Sequence, residues 1–204
     1  MTPFRVLHLP TSVGGNPQGL SAALRQEGVG SDTLTTEQNY LQYPVDIVVN
    51  PDDAGPLRRE WRRWRTLWRD VPGYDVLHFN FGTTLARPHA WSASPGSGLA
   101  KRLAYPLRAA YLWLLQGIEL ARAKRQGVPM FVTYQGDDAR QGDYSRAHFQ
   151  ICIARQVGPD YYNAASDAFK RRQISRLDQY CDRIYSVDPD LLRVLPARGE
   201  FEPY

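Results

Sequence analysis

GVPMFVTYQGDDARQGD, residues 127–143, is the stretch whose reading decides the fold. Met130, Phe131, Val132, Thr133 and Tyr134 form a short run rich in β-formers, introduced by the breakers Gly127 and Pro129, and read as a buried strand. The run breaks at once into a polar knot of Gln135, Gly136, Asp137, Asp138 and Arg140. In an open parallel α/β sheet the carboxyl end of a strand is where ligands bind, so two carboxylates, an amide and a guanidinium there point to a site. The plainer alternative is a turn that Asp137 or Asp138 caps while pairing with Arg140.

Outward from the knot, the chain alternates strand and helix. FRVLHL, residues 4–9, reads as a strand, and the loop PTSVGGNPQ leads to a helix with Leu20, Ala23 and Leu24 at helical spacing, ended by Gly28 and Gly30. Gly14 and Gly15 let backbone N–H groups approach an anion or a sugar, or they simply satisfy the turn. The loop is neither GxGxxG nor a Walker loop. Residues 31–36 and 45–50 read as strands, as does 74–80, whose end carries His78, Asn80 and Gly82. An aperiodic stretch from Phe81 to about Lys101 follows, then a helix opened by Pro106 and ending near Gln126. Past the knot, helices are expected over 143–155 and 165–180, the latter with Ile174, Leu177 and Cys181 on an apolar face and Lys170, Arg171 and Arg172 on a solvated one. A strand at 183–187 and a helical turn opened by Asp188, Pro189 and Asp190 come last, with PARGEFEPY left without a partner element. This order calls for one α/β domain over 1–204, a Rossmann-like three-layer fold with a mainly parallel sheet and helices on both faces.

One helix is unusual. It opens at Pro56, stops at Val71, Pro72 and Gly73, and spaces Leu57, Trp61, Trp64 and Trp68 on one face with arginines on the rest. Packing of the tryptophans on the sheet is the ordinary expectation; contact with anionic membrane headgroups is the other.

Composition narrows the classes. The 204 residues carry 25 basic and 21 acidic side chains, a net charge of +4 that is mild and has no nucleic-acid-reading motif behind it. Cys152 and Cys181 lack CxxC or metal spacing and read as buried reduced thiols. No signal-peptide pattern precedes the first strand, and the most hydrophobic window, 103–120, is interrupted by Arg108, Gln116 and Glu119. The expected location is cytoplasmic, or peripheral to the inner face of the membrane. Neither a cofactor nor a metal is expected, because an adjacent Asp pair alone is poor evidence for an ion.

Taken in order, the glycine loop, DVLHFNFGTTL, VTYQGDDARQGD, KRRQISRLDQYCDRIYSVDPDLLRVLP and EFEPY resemble the N-terminal half of bacterial GT-B glycosyltransferases. That resemblance implies an acceptor-side domain, with a nucleotide-sugar donor held mainly by a second, C-terminal domain beyond this chain, and a glycan or lipid-linked acceptor. It matches Gly14 and Gly15 to a loop facing the cleft, and Gly136, Asp138 and Arg140 to the strand-end knot. Asp138 and Asp137 would then orient or deprotonate acceptor hydroxyls, with Arg140 holding Asp138. Asn80 and Gln135 stand where relatives often carry His, and an amide binds a sugar hydroxyl without exchanging its proton.

Overall fold

Arg5–Leu9 (β1), Gly30–Thr35 (β2), Ile47–Val48 (β3), Val76–Asn80 (β4), Met130–Tyr134 (β5), Arg183–Ser186 (β6) and Glu200–Phe201 (β7) form one sheet in the order β3-β2-β1-β4-β5-β6-β7. Every pairing in it is parallel. The computed structural model describes residues 4–38, 40–90 and 99–203. Its α-helices are Asn16–Gln26 (α1), Pro56–Arg65 (α2), Leu99–Arg125 (α3), Gly142–His148 (α4) and Ala164–Tyr180 (α5). The fold is α/β, Rossmann-like and three-layered, as the alternation of elements requires. Strand order reverses between β1 and β4, so the loops leaving these two strands diverge and open a crevice at their carboxyl ends.

Alternation along the strands assigns the two faces. Leu7, Leu9, Leu77, Phe79, Met130, Val132, Tyr134 and Ile184 turn to one side, where they pack with Leu115 and Leu120 of α3, Ile174 and Leu177 of α5, and Leu67. Leu7, Leu9 and Phe79 are fully buried, and truncating any of them to Ala should cost about 2–5 kcal/mol. The other face carries α1 beside β1 and β2, and next to it an open trough of about 600 Å³ lined by Val6, Val76, Phe131, Tyr185, His8 and His78.

Several boundaries differ from the sequence expectation. Pro106 lies inside α3 instead of opening it, because Leu99–Tyr105 is made of good helix formers that carry the helix back past the proline. Part of the aperiodic stretch, 91–98, lies outside the described residues. The strand expected at 45–50 is reduced to the two residues of β3, and the helix expected over 143–155 ends at His148, with a separate 3-10 turn at Ile153–Arg155. The C-terminal segment does have a partner: Glu200 and Phe201 pair with Tyr185 and Ser186, and Arg183 bridges to Glu200 at 2.9 Å. A two-residue edge strand is too short to leave a periodic signal.

The tryptophan stripe is not a core stripe. Trp61 is 63% exposed, Trp68 47% and Leu57 88%, while Trp64, half-buried, donates its Nε1–H to the Tyr111 hydroxyl at 2.7 Å. The segment buries Thr66 and Leu67 and rests Trp64 and Val71 on the core, a face that overlaps the stripe only at Trp64, and the helix widens into a π turn at Thr66–Asp70. Side chains of Arg62 and Arg63 are only 14% and 13% exposed, folded onto Asp52 and Glu60. Among the described residues, no helix is long and apolar enough to cross a membrane. Cys181 is buried and Cys152 half-buried, both as free thiols; burial pushes the Cys181 thiol up to about 12.

Across the trough side, a polar chain runs through four strands. His8 and His78 share a hydrogen bond between their Nδ1 atoms at 2.9 Å, and their Nε2 atoms reach Ser31 at 3.1 Å and Thr133 at 2.7 Å. Such a bond needs at least one Nδ1 without a proton, so two cationic rings break it. Burial lowers His8 to about 4 and His78 to about 3, each helped by a neighbouring positive charge, Arg25 and His8 respectively. Below the unfolded value of about 6.5 the unfolded chain binds more protons than the folded one, so this pair's contribution is complete above about 6.5 and is lost as pH falls through about 4 and 3. Urea melts across that window should therefore show a positive slope of stability with pH that shrinks in His8→Phe/His78→Phe; an unchanged slope in the double variant would refute the assignment.

Candidate functional site

The crevice at the β1–β4 reversal is built from the loops the sequence singled out. After β1 the chain makes a 3-10 turn at Val13–Gly15, with Gly14 at φ +65° and Gly15 at φ +72°, both in the left-handed region that favours glycine. Gly15 begins α1 beneath the Tyr43 ring, where an added Cβ would meet Tyr43 at 3.2 Å. Turn geometry thus accounts for both glycines. The loop also touches the knot, since Asn16 Nδ2 donates to Gln135 Oε1 at 3.1 Å across 119 positions of sequence. Asn80 lies fully buried at the end of β4, donating to the His78 carbonyl at 3.3 Å, and its Oδ1 has no partner among the described residues.

At the knot, Gly136 takes φ +146° and the chain turns back, with Ala139 and Arg140 N–H both donating to the Gly136 carbonyl. Asp138 accepts the backbone N–H of Gln135 at 3.0 Å and of Gly136 at 2.8 Å, so it caps its own turn. Burial lifts its carboxyl to about 7, with the backbone N–H groups of the turn opposing. Asp137 is the outward member. It accepts the hydroxyls of Tyr161 and Tyr162; these bonds, with Lys170 and Arg140, outweigh its burial and hold it below the usual carboxylate range.

Arg140 does not hold Asp138. Its guanidinium pairs with Asp188 at 3.1 Å and Asp190 at 3.3 Å after β6, and stands 3.7 Å from Asp137. Asp138 faces inward from the turn, so the backbone reaches it first. Lys170 is likewise not a solvated charge: it donates to the Arg140 carbonyl at 2.7 Å and lies 4.4 Å over the Tyr162 ring. Burial lowers its pKa, against the pull of Asp137, Asp167 and Asp138. Together Asp137, Asp138, Lys170, Phe81, Gly82 and Arg87 border a cavity of about 350 Å³. Gly14, Gly15, Asn80, Gln135, Gly136 and Arg140 do not line that cavity. Among the described residues, no group of three or more His, Cys, Asp or Glu is placed to hold a metal ion.

The loop after β4 supplies residues that sequence reading missed. Glu119 of α3 accepts the N–H groups of Leu85 at 3.0 Å and Ala86 at 3.1 Å, and burial raises it to about 7 against these same bonds and one from Thr84. It pins the loop so that Arg87, itself left-handed at φ +49°, projects into the cavity. A charge interrupting the most apolar window was the available signal for Glu119. For Lys170 the signal was rarity, since it is one of three lysines among 25 basic residues.

No known protein-family profile matches the chain, and no curated protein is similar to it. Functional assignment therefore rests on the fold and on these side chains.

Two variants, one single and one double, probe the site's construction. At Gly82, φ +51°, a Cβ would lie 2.6 Å from the Tyr134 ring and 3.2 Å from Asp138 Oδ2, so Gly82→Ala should lose about 2 kcal/mol or more in a denaturant melt. A neutral result would mean the loop is free to move. Asp138 and Glu119, both raised above an unfolded value near 4, favour the folded state most below that value and lose the advantage as pH climbs through about 7. Stability of the double variant Asp138→Asn/Glu119→Gln should accordingly fall less than wild type between pH about 4 and about 7; parallel curves would contradict the buried ionisations.

Proposed function

We propose that this chain is the acceptor-side, N-terminal domain of a glycosyltransferase that moves a sugar from a nucleotide-sugar donor to a glycan or lipid-linked acceptor. The observation that supports the reading most is the cavity at the carboxyl ends of β4 and β5, bordered by two adjacent carboxylates, one poised to gain or lose a proton near neutral pH. Glycosyl transfer needs an acceptor hydroxyl that is held and relieved of its proton as the bond to the sugar forms. Asp138, ionising near 7, is the group suited to take that proton. Asp137 is anionic and hydrogen-bonded by both tyrosines, which suits it to orient a hydroxyl. Phe81 and Phe169 on the wall offer apolar faces to a sugar ring.

A lipid-linked acceptor fits a further observation. Leu57, Trp61 and Trp68 of the α2 region are exposed, as are Leu107 and Leu114 of α3, among Arg58, Arg65, Arg69 and Arg108. Exposed indoles beside guanidiniums suit the headgroup layer of an anionic bilayer. A free-standing sugar- or phosphate-binding module is the competing reading, favoured by the structural use of the Asp138 carboxylate within its own turn.

Saturation-transfer NMR of the chain with a panel of oligosaccharides and nucleotide sugars tests the proposal. An oligosaccharide should receive saturation, and Asp137→Asn should weaken its binding about tenfold with a small change in melting, since about 1.4 kcal/mol of binding corresponds to that factor. Absence of any sugar contact across the panel would sink the acceptor reading. On the membrane side, emission of Trp61 and Trp68 should shift to the blue on adding phosphatidylglycerol vesicles and return with salt; indifference to vesicles would leave a soluble acceptor.

A further inference from the structure

On the far side of Arg87 lies a second cavity, of about 220 Å³, lined by Thr36, Asn50, the start of α2 and four guanidiniums, Arg59, Arg63, Arg87 and Arg108. Three carboxylates answer them, since Arg59 also stands 3.7 Å from Asp53. Arg59 pairs with Glu37 at 3.2 Å and Arg63 with Glu60 at 2.7 Å, and Glu60 also accepts the Tyr111 hydroxyl. Arg87 and Arg108 pair with no carboxylate among the described residues, so two of the four guanidiniums stand without an ion-pair partner. Arg87 donates to a neutral hydroxyl, that of Thr36, at 2.6 Å.

Two more observations make this a place for an anion rather than a cluster of solvated charges. Arg59 Nε is buried and has no acceptor. The N-terminus of α2, ten residues long, also opens here: Pro56 lines the cavity, the N-cap Gly55 offers no side chain, and no acidic residue occupies the first turn. The carboxylates nearest that end, Asp52 and Asp53, lie before the helix and pair with Arg62 and Arg59. The volume is below the roughly 300 Å³ at which pockets begin to take drug-sized ligands, and suits a small charged group. Guanidiniums present paired N–H donors that match the oxygens of phosphate, and a dianion would neutralise Arg87 and Arg108, the two that lack a carboxylate.

We infer that this cavity is a phosphate-binding site, formed by Arg87, Arg108, Arg59 and the N-terminus of α2, that takes a phosphate monoester. The site stands independently of sugar transfer, because none of its charges belongs to the Asp137–Asp138 cavity apart from the shared Arg87. That sharing gives a geometric consequence: a molecule with a phosphate in one cavity and a polar portion in the other would span the Arg87 guanidinium. The phosphate can belong to a soluble molecule or to a lipid headgroup, and the apolar side chains Leu57 and Leu107 next to Pro56 and Arg108 bring both within reach.

Inorganic phosphate is the first probe, followed by thermal melting and by amide chemical shifts at low ionic strength. Phosphate should raise the melting temperature saturably, with a Kd on the order of 1 mM, and shift amides of α2 and of the loop around Arg87. Arg108→Gln, at an exposed position with no ion pair to lose, should weaken binding about tenfold, as should Arg87→Gln; Arg171→Gln, whose partner Asp143 is elsewhere, should not. In a second arm, phosphatidylcholine vesicles with and without phosphatidic acid are sedimented with the chain. Arg108-dependent capture by phosphatidic acid assigns the site to a lipid headgroup, and phosphate binding without capture assigns it to a soluble phosphate. No saturable phosphate effect, or one that survives both Arg87→Gln and Arg108→Gln, overturns the inference. Loss of oligosaccharide binding has no bearing on it, so the two proposals fail separately.

Discussion

Parallel pairing throughout the sheet is the constraint from which the rest of the molecule follows. With all strands pointing one way, every loop that can carry function leaves from the same edge, and the reversal of order between β1 and β4 is where those loops part. The crevice is closed at its ends by side chains far apart in sequence. Asn16 of the first loop meets Gln135 of the knot, and Arg140 of the knot meets Asp188 and Asp190 after β6. A strand-end turn on its own would be a flexible polar loop; here ties to neighbouring loops on both sides fix it.

Buried carboxylates do the positioning. Asp138 closes its own turn, Asp167 accepts the N–H groups of Gly142 and Asp143 where α4 begins, and Glu119 holds the loop after β4. Each replaces water for backbone donors that the fold withdraws from solvent, and a buried N–H left without a partner would cost about 1–3 kcal/mol. Glu119 matters most for the site, because the segment it pins sets Arg87 between two cavities of opposite character. One is bordered by Asp137, Asp138 and Lys170, the other by arginines. Arg87 thus borders both spaces, with its guanidinium bonded to Thr36 on the arginine side.

The sheet was legible because its strands are short apolar runs with punctuating Gly and Pro, and the helices between them were legible in order, though α3 begins well before Pro106 and α4 ends well before Arg155. Legibility stopped where contacts, not patterns, decide. The spacing of Leu57, Trp61, Trp64 and Trp68 describes an apolar face correctly and says nothing of which neighbour covers it; α2 turns Trp64 toward Tyr111 and leaves Trp61 in solvent. Asp137 and Asp138 were found through their place after a strand, but their division of labour depends on which carboxylate the turn folds inward. Lys170 and Arg140 exchange the roles that sequence proximity suggests, since a lysine 30 positions away reaches the knot while the arginine two residues from Asp138 reaches past it. Glu119 and Arg87 owe their importance to tertiary placement alone.

The central pairing of the sheet also governs how the chain must be made. Val6 of β1 sits opposite Ser31 of β2 on one side and Val76 of β4 on the other, separations of 25 and 70 positions. The difference in loop closure amounts to only about 1 kcal/mol, so it scarcely touches equilibrium stability. In time it weighs more. As the chain leaves the ribosome, β1 and β2 can join early, yet β1 keeps one apolar edge unpaired for the several seconds of synthesis that deliver β4. Until then the backbone groups of β1 that later pair with β4 form an open sheet edge, and the nascent protein is exposed to wrong pairing at what becomes the centre of the finished sheet.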